Sequence, residues 1–155
     1  MLERLKSFLG ALPGKSGAGE AGADDPRVAA AVLLLMIADA DGDRGQEERA
    51  MLRQTLAETY ALSRKQTERI VASAEIAGNE AIDLFAFTSV LNRALDEAGR
   101  IEFVGLLWEM VYADGEMNEI EDNLVWRVAE LIGVAARDRV RMRRLVREAA
   151  GLGGD

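Results

Sequence analysis

Residues Val28 to Ala38 read VAAAVLLLMIA, eleven apolar residues without a break. A run of this kind has few places to go. Crossing a bilayer as a helix takes roughly 20 such residues, and this one is closed off by Asp25-Pro26 before it and Asp39 after it. It reads as a helix buried on all sides within a packed protein. The remaining chain must therefore supply a shell for it. With 49% hydrophobic and 30% charged residues in a length of 155, there is material for one domain of ordinary size. Two prolines, 5% aromatics and many Ala, Leu, Glu and Arg residues favour helices for that shell.

The composition also excludes chemistry. There is no cysteine and no histidine. Disulfides, Cys/His zinc sites, histidine-ligated haem, cysteine nucleophiles and Ser-His-Asp triads all fall away. A metal would have to be held by oxygen, which favours Ca²⁺ or Mg²⁺ over Zn²⁺. A formal net charge of −8 argues against general nucleic-acid binding.

At the N-terminus, Leu2, Leu5, Phe8, Leu9 and Leu12 form one stripe at helical spacing. Glu3, Lys6 and Ser7 interrupt the apolar character a signal peptide needs, so secretion is not expected and a cytoplasmic location is. The stripe reads as a short helix packing on the domain or on a partner; the alternative is a membrane-surface anchor. Gly14, Gly17, Gly19 and Gly22 then mark a flexible tether. The expected organisation is an N-terminal segment and linker over 1–25, an all-helical domain over 26–150, and a tail over 151–155.

Punctuation places seven helices in the domain. Asp25-Pro26 caps the first, to about residue 40. A second spans about 46–60. Ser63 and Gln66 form a capping box for a third, which Gly78-Asn79 should stop near Ala77. Asp83 is expected to cap a fourth over 84–96. A fifth spans about 98–113, with Gly115 past its end. Asn118 and Glu121 form a second capping box for a sixth, which ends at Gly133. A seventh covers 136–149, with Met142, Leu145, Val146 and Ala149 as its apolar stripe. No strand is evident. The fold class is all-α, a compact bundle of short connections.

The chain repeats itself once. Ala40-Asp-Gly-Asp-Arg-Gly-Gln-Glu-Glu48 and Ala113-Asp-Gly-Glu-Met-Asn-Glu-Ile-Glu121 align without a gap, 73 residues apart. An apolar residue follows four positions later in both, Leu52 and Val125. Each copy sits between a buried helix and an amphipathic one, which implies two related helical units about a pseudo-twofold axis. The chemistry suggested is a pair of divalent-cation sites. Asp41, Asp43 and Glu48 would converge in one copy, and Asp114, Glu116 and Glu121 in the other, since hard cations take several oxygen ligands. The competing reading is punctuation alone: Gly42 and Gly115 end helices, and Glu48 and Glu121 fall where capping-box and dipole effects favour acids. An EF-hand does not fit. Asp39, Asp41 and Asp43 match its first positions, but Arg44, Gln46 and Ala50 stand where it needs Gly, an apolar residue and a bidentate Glu.

These two copies, A-D-G-[DE]-x-x-[QE]-x-E-x-x-x-[LV], each after a buried apolar helix, resemble the tellurite-resistance protein B (TerB) family. The resemblance covers about residues 26–150. It implies a compact all-α domain of about seven helices with an acidic, cation-binding face. It further implies a bacterial stress-response role, tied to tellurite and to protein complexes near the inner membrane. By position, the family's acidic residues fall on Asp41, Asp43, Glu48, Asp114, Glu116 and Glu121. Gly45 departs from the usual small polar N-cap and loosens the first turn.

The last helix is basic: Arg137, Arg139, Arg141, Arg143, Arg144 and Arg147 stand against Asp138 and Glu148. It reads as a solvated face pairing with the molecule's own acids, or as a contact for an anionic surface. Trp108 and Trp126 read as core. The function expected is a non-catalytic stress-response module that binds a divalent cation and acts as an adaptor for protein partners, peripheral to the inner membrane. A purely structural interaction domain without metal is the alternative, and a Mg²⁺-dependent enzyme the less favoured one. No nucleophile motif, phosphate-cradling glycine loop or tuned acid–base pair supports catalysis.

Overall fold

The computed structural model of the chain describes residues 2–12, 25–40, 45–79, 81–112 and 119–151. The elements are α1 (Leu2–Ala11), α2 (Pro26–Ala40), α3 (Gly45–Tyr60), α4 (Arg64–Asn79), α5 (Ala81–Ala94), α6 (Glu97–Val111), α7 (Glu119–Ile132) and α8 (Ala136–Ala149). Among the described residues there is no strand. The fold is the expected all-α bundle. Seven of its helices fall within 26–150, and the N-terminal segment adds an eighth.

The apolar run is the hub. Every residue from Val28 to Leu35, with Ile37 and Ala38, is buried. Helices α3, α4, α5, α6 and α7 all pack on α2. The second interior helix is α6, with Phe103, Val104, Leu106, Leu107 and Trp108 at most 1% exposed. The N-terminal stripe also enters this core. Leu5, Phe8, Leu9 and Leu12 are buried, Phe8 stacks on Phe103, and the Tyr60 hydroxyl donates to the Leu9 carbonyl at 2.6 Å. The tether over 13–24 and the tail over 152–155 lie outside the described residues.

Several expected helix boundaries hold for the expected reasons. The Asp25 carboxylate accepts the Arg27 backbone N–H at 2.9 Å, an N-cap bond. Ser63 and Gln66 exchange both bonds of the capping box, at 2.7 and 3.2 Å. Three boundaries move. Helix α4 runs through Gly78 to Asn79, because a single glycine weakens a helix without ending it. Helix α5 starts at Ala81, so Asp83 lies inside its first turn rather than at its cap. Helix α6 starts at Glu97, capped by Asp96, whose side chain accepts the Gly99 N–H at 2.8 Å. The α8 stripe is only half used: Val146 is buried and Met142 partly so, while Leu145 is 51% exposed.

The repeat extends well beyond the acidic turns. The buried positions of α2 and α6 align at the 73-residue offset, with Leu34, Ile37 and Ala38 matching Leu107, Met110 and Val111. Leu52 and Leu56 of α3 match Val125 and Ala129 of α7, all fully buried. With the offset shortened to 72, α4 follows α3 as α8 follows α7, and α4 packs on α2 as α8 packs on α6. The shortening falls at the helix ends. Both α3 and α7 close with a residue at positive φ, Ala61 (52°) and Gly133 (90°). At each, the next N–H reaches back around the last turn: Leu62 to the Ala57 carbonyl at 2.9 Å, and Val134 to Ala129 at 3.0 Å. This is the Schellman closure, and it favours glycine because a Cβ in the left-handed region meets the following carbonyl.

One copy thus carries a residue suited to its conformation and the other does not. Replacing Ala61→Gly should stabilise the protein by up to about 1 kcal/mol. Replacing Gly133→Ala should destabilise it by roughly 1–2 kcal/mol, the more so because a Cβ there would lie 3.2 Å from the Asn92 amide. Denaturant midpoints with unchanged m-values will show the opposite signs.

Candidate functional site

Of the six acidic residues expected in the two turns, Glu48 and Glu121 are described. Asp41, Asp43, Asp114 and Glu116 lie outside the described residues. Glu48 sits in the first turn of α3 and is 7% exposed; Glu121 sits in the first turn of α7 and is 1% exposed. Four residues on from each, Leu52 and Val125 plug fully into the core. The apolar anchor one turn later therefore draws each carboxylate inward. At that place the unbonded N–H groups and dipole of the helix N-terminus attract negative charge. Acids are seldom this buried without a task or a partner. Among the described residues no group of three or more metal-type ligands comes together, so what these two positions establish is the matched burial of one acid per turn.

A second constellation was not foreseen. On α8, Arg139, Arg143 and Arg147 stand four residues apart and line one face. Trp108 of α6 and Tyr112 at its C-cap are likewise four apart, and Trp126 comes from α7. The Arg139 guanidinium lies 5.5 Å from the Trp126 ring, Arg143 5.8 Å from Trp108, and Arg147 5.8 Å from Tyr112. The rings themselves are in contact: Trp108 and Tyr112 stack at 6.0 Å, and Trp108 meets Trp126 edge-on at 5.8 Å. Each cation–π pair is worth about 0.5–2 kcal/mol, more where water is excluded. The spacing was visible in the sequence; the missing signal was that α8 would lie across α6. Gly105 makes that approach close, since a Cβ there would fall 2.7 Å from the Met142 methyl.

Asp122 ties this ladder together. Its carboxylate accepts from Arg143 Nε at 2.9 Å and from the Tyr112 hydroxyl. So the expected pairing of basic helix with the molecule's own acids occurs, through one carboxylate on α7. Tyr112 is fully buried, and burial, helped by the neighbouring Asp122 carboxylate, pushes its hydroxyl up to about 12. Burial also raises Tyr60 well above the ordinary tyrosine range. Trp108 is core, as expected, while Trp126 is half-buried at the edge of the ladder.

A family model for the tellurite resistance protein TerB matches residues 27–144, about three quarters of the chain. The protein therefore belongs to the TerB family, and the resemblance carried by the two acidic turns holds. No curated protein and no solved structure matches it significantly. No helix among the described residues is long and apolar enough to cross a membrane.

The buried tyrosines give the site a pH signature. A folded-state value above the unfolded one, near 10, means the folded protein keeps a proton that the unfolded chain releases. That stability is complete below about pH 10 and is lost as pH rises from about 10 towards 12. Neither of the two tyrosines should ionise near pH 10 in a spectrophotometric titration of the folded protein. Tyr112→Phe should make the alkaline loss of stability shallower and leave a remainder due to Tyr60.

Proposed function

We propose that this TerB-family chain is a non-catalytic, cation-responsive adaptor. The observation that carries the reading is the matched burial of Glu48 and Glu121, each in the first turn after an acidic loop. In this reading Asp41, Asp43 and Glu48 hold one divalent ion, and Asp114, Glu116 and Glu121 a second. An all-oxygen donor set selects Ca²⁺ or Mg²⁺ over Zn²⁺. Each ion would neutralise acids that otherwise repel one another. It would also fasten the turn between an interior helix and its amphipathic neighbour, so that ion level sets how firmly those helices are held.

A chain without cysteine or histidine, and without a phosphate-cradling loop, is better suited to holding partners than to transforming them. The partner surface we favour is the one beside the second acidic turn, where Ile120 is 70% exposed. The setting proposed is a cytoplasmic protein complex at the inner membrane. Attachment there would come through the partner, because the apolar stripe of α1 faces the core and direct insertion would have to pull Leu5 and Leu9 out of it. The competing reading, a metal-free interaction domain, treats both glutamates as helix-end acids only.

Thermal unfolding separates the two. A ligand at about 100 times its dissociation constant stabilises by about 2.7 kcal/mol, which for this length raises the melting temperature by about 5–10 °C. Ca²⁺ or Mg²⁺ after EDTA should produce such a rise, and the Asp41→Asn/Asp114→Asn protein should lack it. An unchanged melting temperature with every ion would favour the metal-free reading.

A further inference from the structure

The ladder leaves one of its cations in an unusual position. Arg147 is 7% exposed, and its Nε donates to no acceptor among the described residues. The ion pairs of the described residues do not include it. The nearest acid of the ladder, Asp122, is engaged by Arg143 and Tyr112. Stacking on Tyr112 at 5.8 Å softens the environment of the guanidinium but supplies no counter-charge. A buried charge without a counter-charge is strongly destabilising.

The arginine borders a cleft. Trp126, Val140, Arg143, Arg144 and Arg147 enclose a volume of about 90 Å³ between α7 and α8. One water needs roughly 10–15 Å³ of such space, so the cleft has room for a small polyatomic ion. Three of its five walls are arginines and one is an indole face. The internal repeat shows how particular this is. In α4, the positions matching Arg139 and Arg143 are Thr67 and Val71, both buried, and α5 packs against that helix. In α8, arginines stand at those inward positions, with Arg144 and Arg147 beside them.

We propose that this cleft is a binding pocket for a phosphate-type oxyanion. Arg147 supplies the buried charge, Arg144 closes over the ion from the exposed side, and Trp126 forms the apolar wall. Planar guanidinium groups present parallel N–H donors that match two oxygens of such a group. The volume is that of the oxyanion alone, so whatever carries the oxyanion stays outside the cleft. The ion would be free phosphate, or the phosphate of a lipid headgroup presented to the exposed side of α8 at Arg144.

The test uses the full chain at low ionic strength. Inorganic phosphate is titrated by calorimetry. In parallel, the protein is sedimented with vesicles of phosphatidylglycerol in phosphatidylcholine, and with phosphatidylcholine alone. We expect one phosphate per chain, weakened at least about tenfold by Arg144→Gln and by Arg147→Gln, and unaffected by Arg137→Gln on the same helix. Arg144 is exposed, so its variant keeps the fold and carries the test if Arg147→Gln does not. Binding to phosphatidylglycerol vesicles without free phosphate, with the same dependence on Arg144 and not on Arg137, supports the pocket and identifies a lipid source. Binding to neither probe overturns the proposal. So does binding that falls equally with Arg137→Gln and Arg144→Gln, which is the diffuse charge of a basic helix.

Discussion

Everything in this molecule is arranged around the need to bury a helix with no polar face. Helix α2 presents apolar side chains in every direction, so it must be surrounded, and α3, α4, α5, α6 and α7 surround it. Helix α6 is nearly as apolar and occupies the equivalent place in the second half. Two such helices cannot each be wrapped by a separate set of neighbours in a chain this short. They pack together, and each half covers part of the other. The acidic turns lie where an interior helix hands over to an amphipathic one. That is why Glu48 and Glu121 become buried: the next turn of each helix is pinned inside by Leu52 and Val125.

The second half has taken the same plan in a different direction. Where α4 buries Thr67 and Val71, α8 sets arginines over Trp126 and Trp108. An arginine stem can cover apolar surface while its head stays polar, so the substitution keeps packing while bringing charge to the rim of the core. Asp122 and Tyr112 then fix the middle arginine in place. The result is a second half that carries a basic helix backed by aromatic rings.

Most of the fold was legible. The apolar run, the Asp25 and Ser63 caps and the glycine at 133 each act locally, and each placed a helix end within a residue or two. What failed was also local. Gly78 looked like a stop, but a single glycine does not end a helix and α4 runs past it, and Asp83 looked like a cap although α5 had already begun at Ala81. The repeat was readable only at its acidic turns, because the rest is shared as burial rather than as residue identity: Leu35 answers to Trp108, and Leu56 to Ala129. The ladder was hidden for a different reason. The four-residue spacing of Arg139, Arg143 and Arg147 is in the sequence, but their aromatic partners lie on two other helices. Only the crossing of α8 over α6, made close by Gly105, joins them.

In the proposed cation-responsive reading, the buried glutamates Glu48 and Glu121 each complete one ion site. The most direct measurement is the stoichiometry of Ca²⁺ by calorimetry on the intact chain and on Glu121→Gln. Two ions per chain are expected, and one when Glu121 has lost its charge, with the remaining site at its original affinity. An ion count that Glu121→Gln leaves unchanged, or no binding in the intact chain, would contradict it.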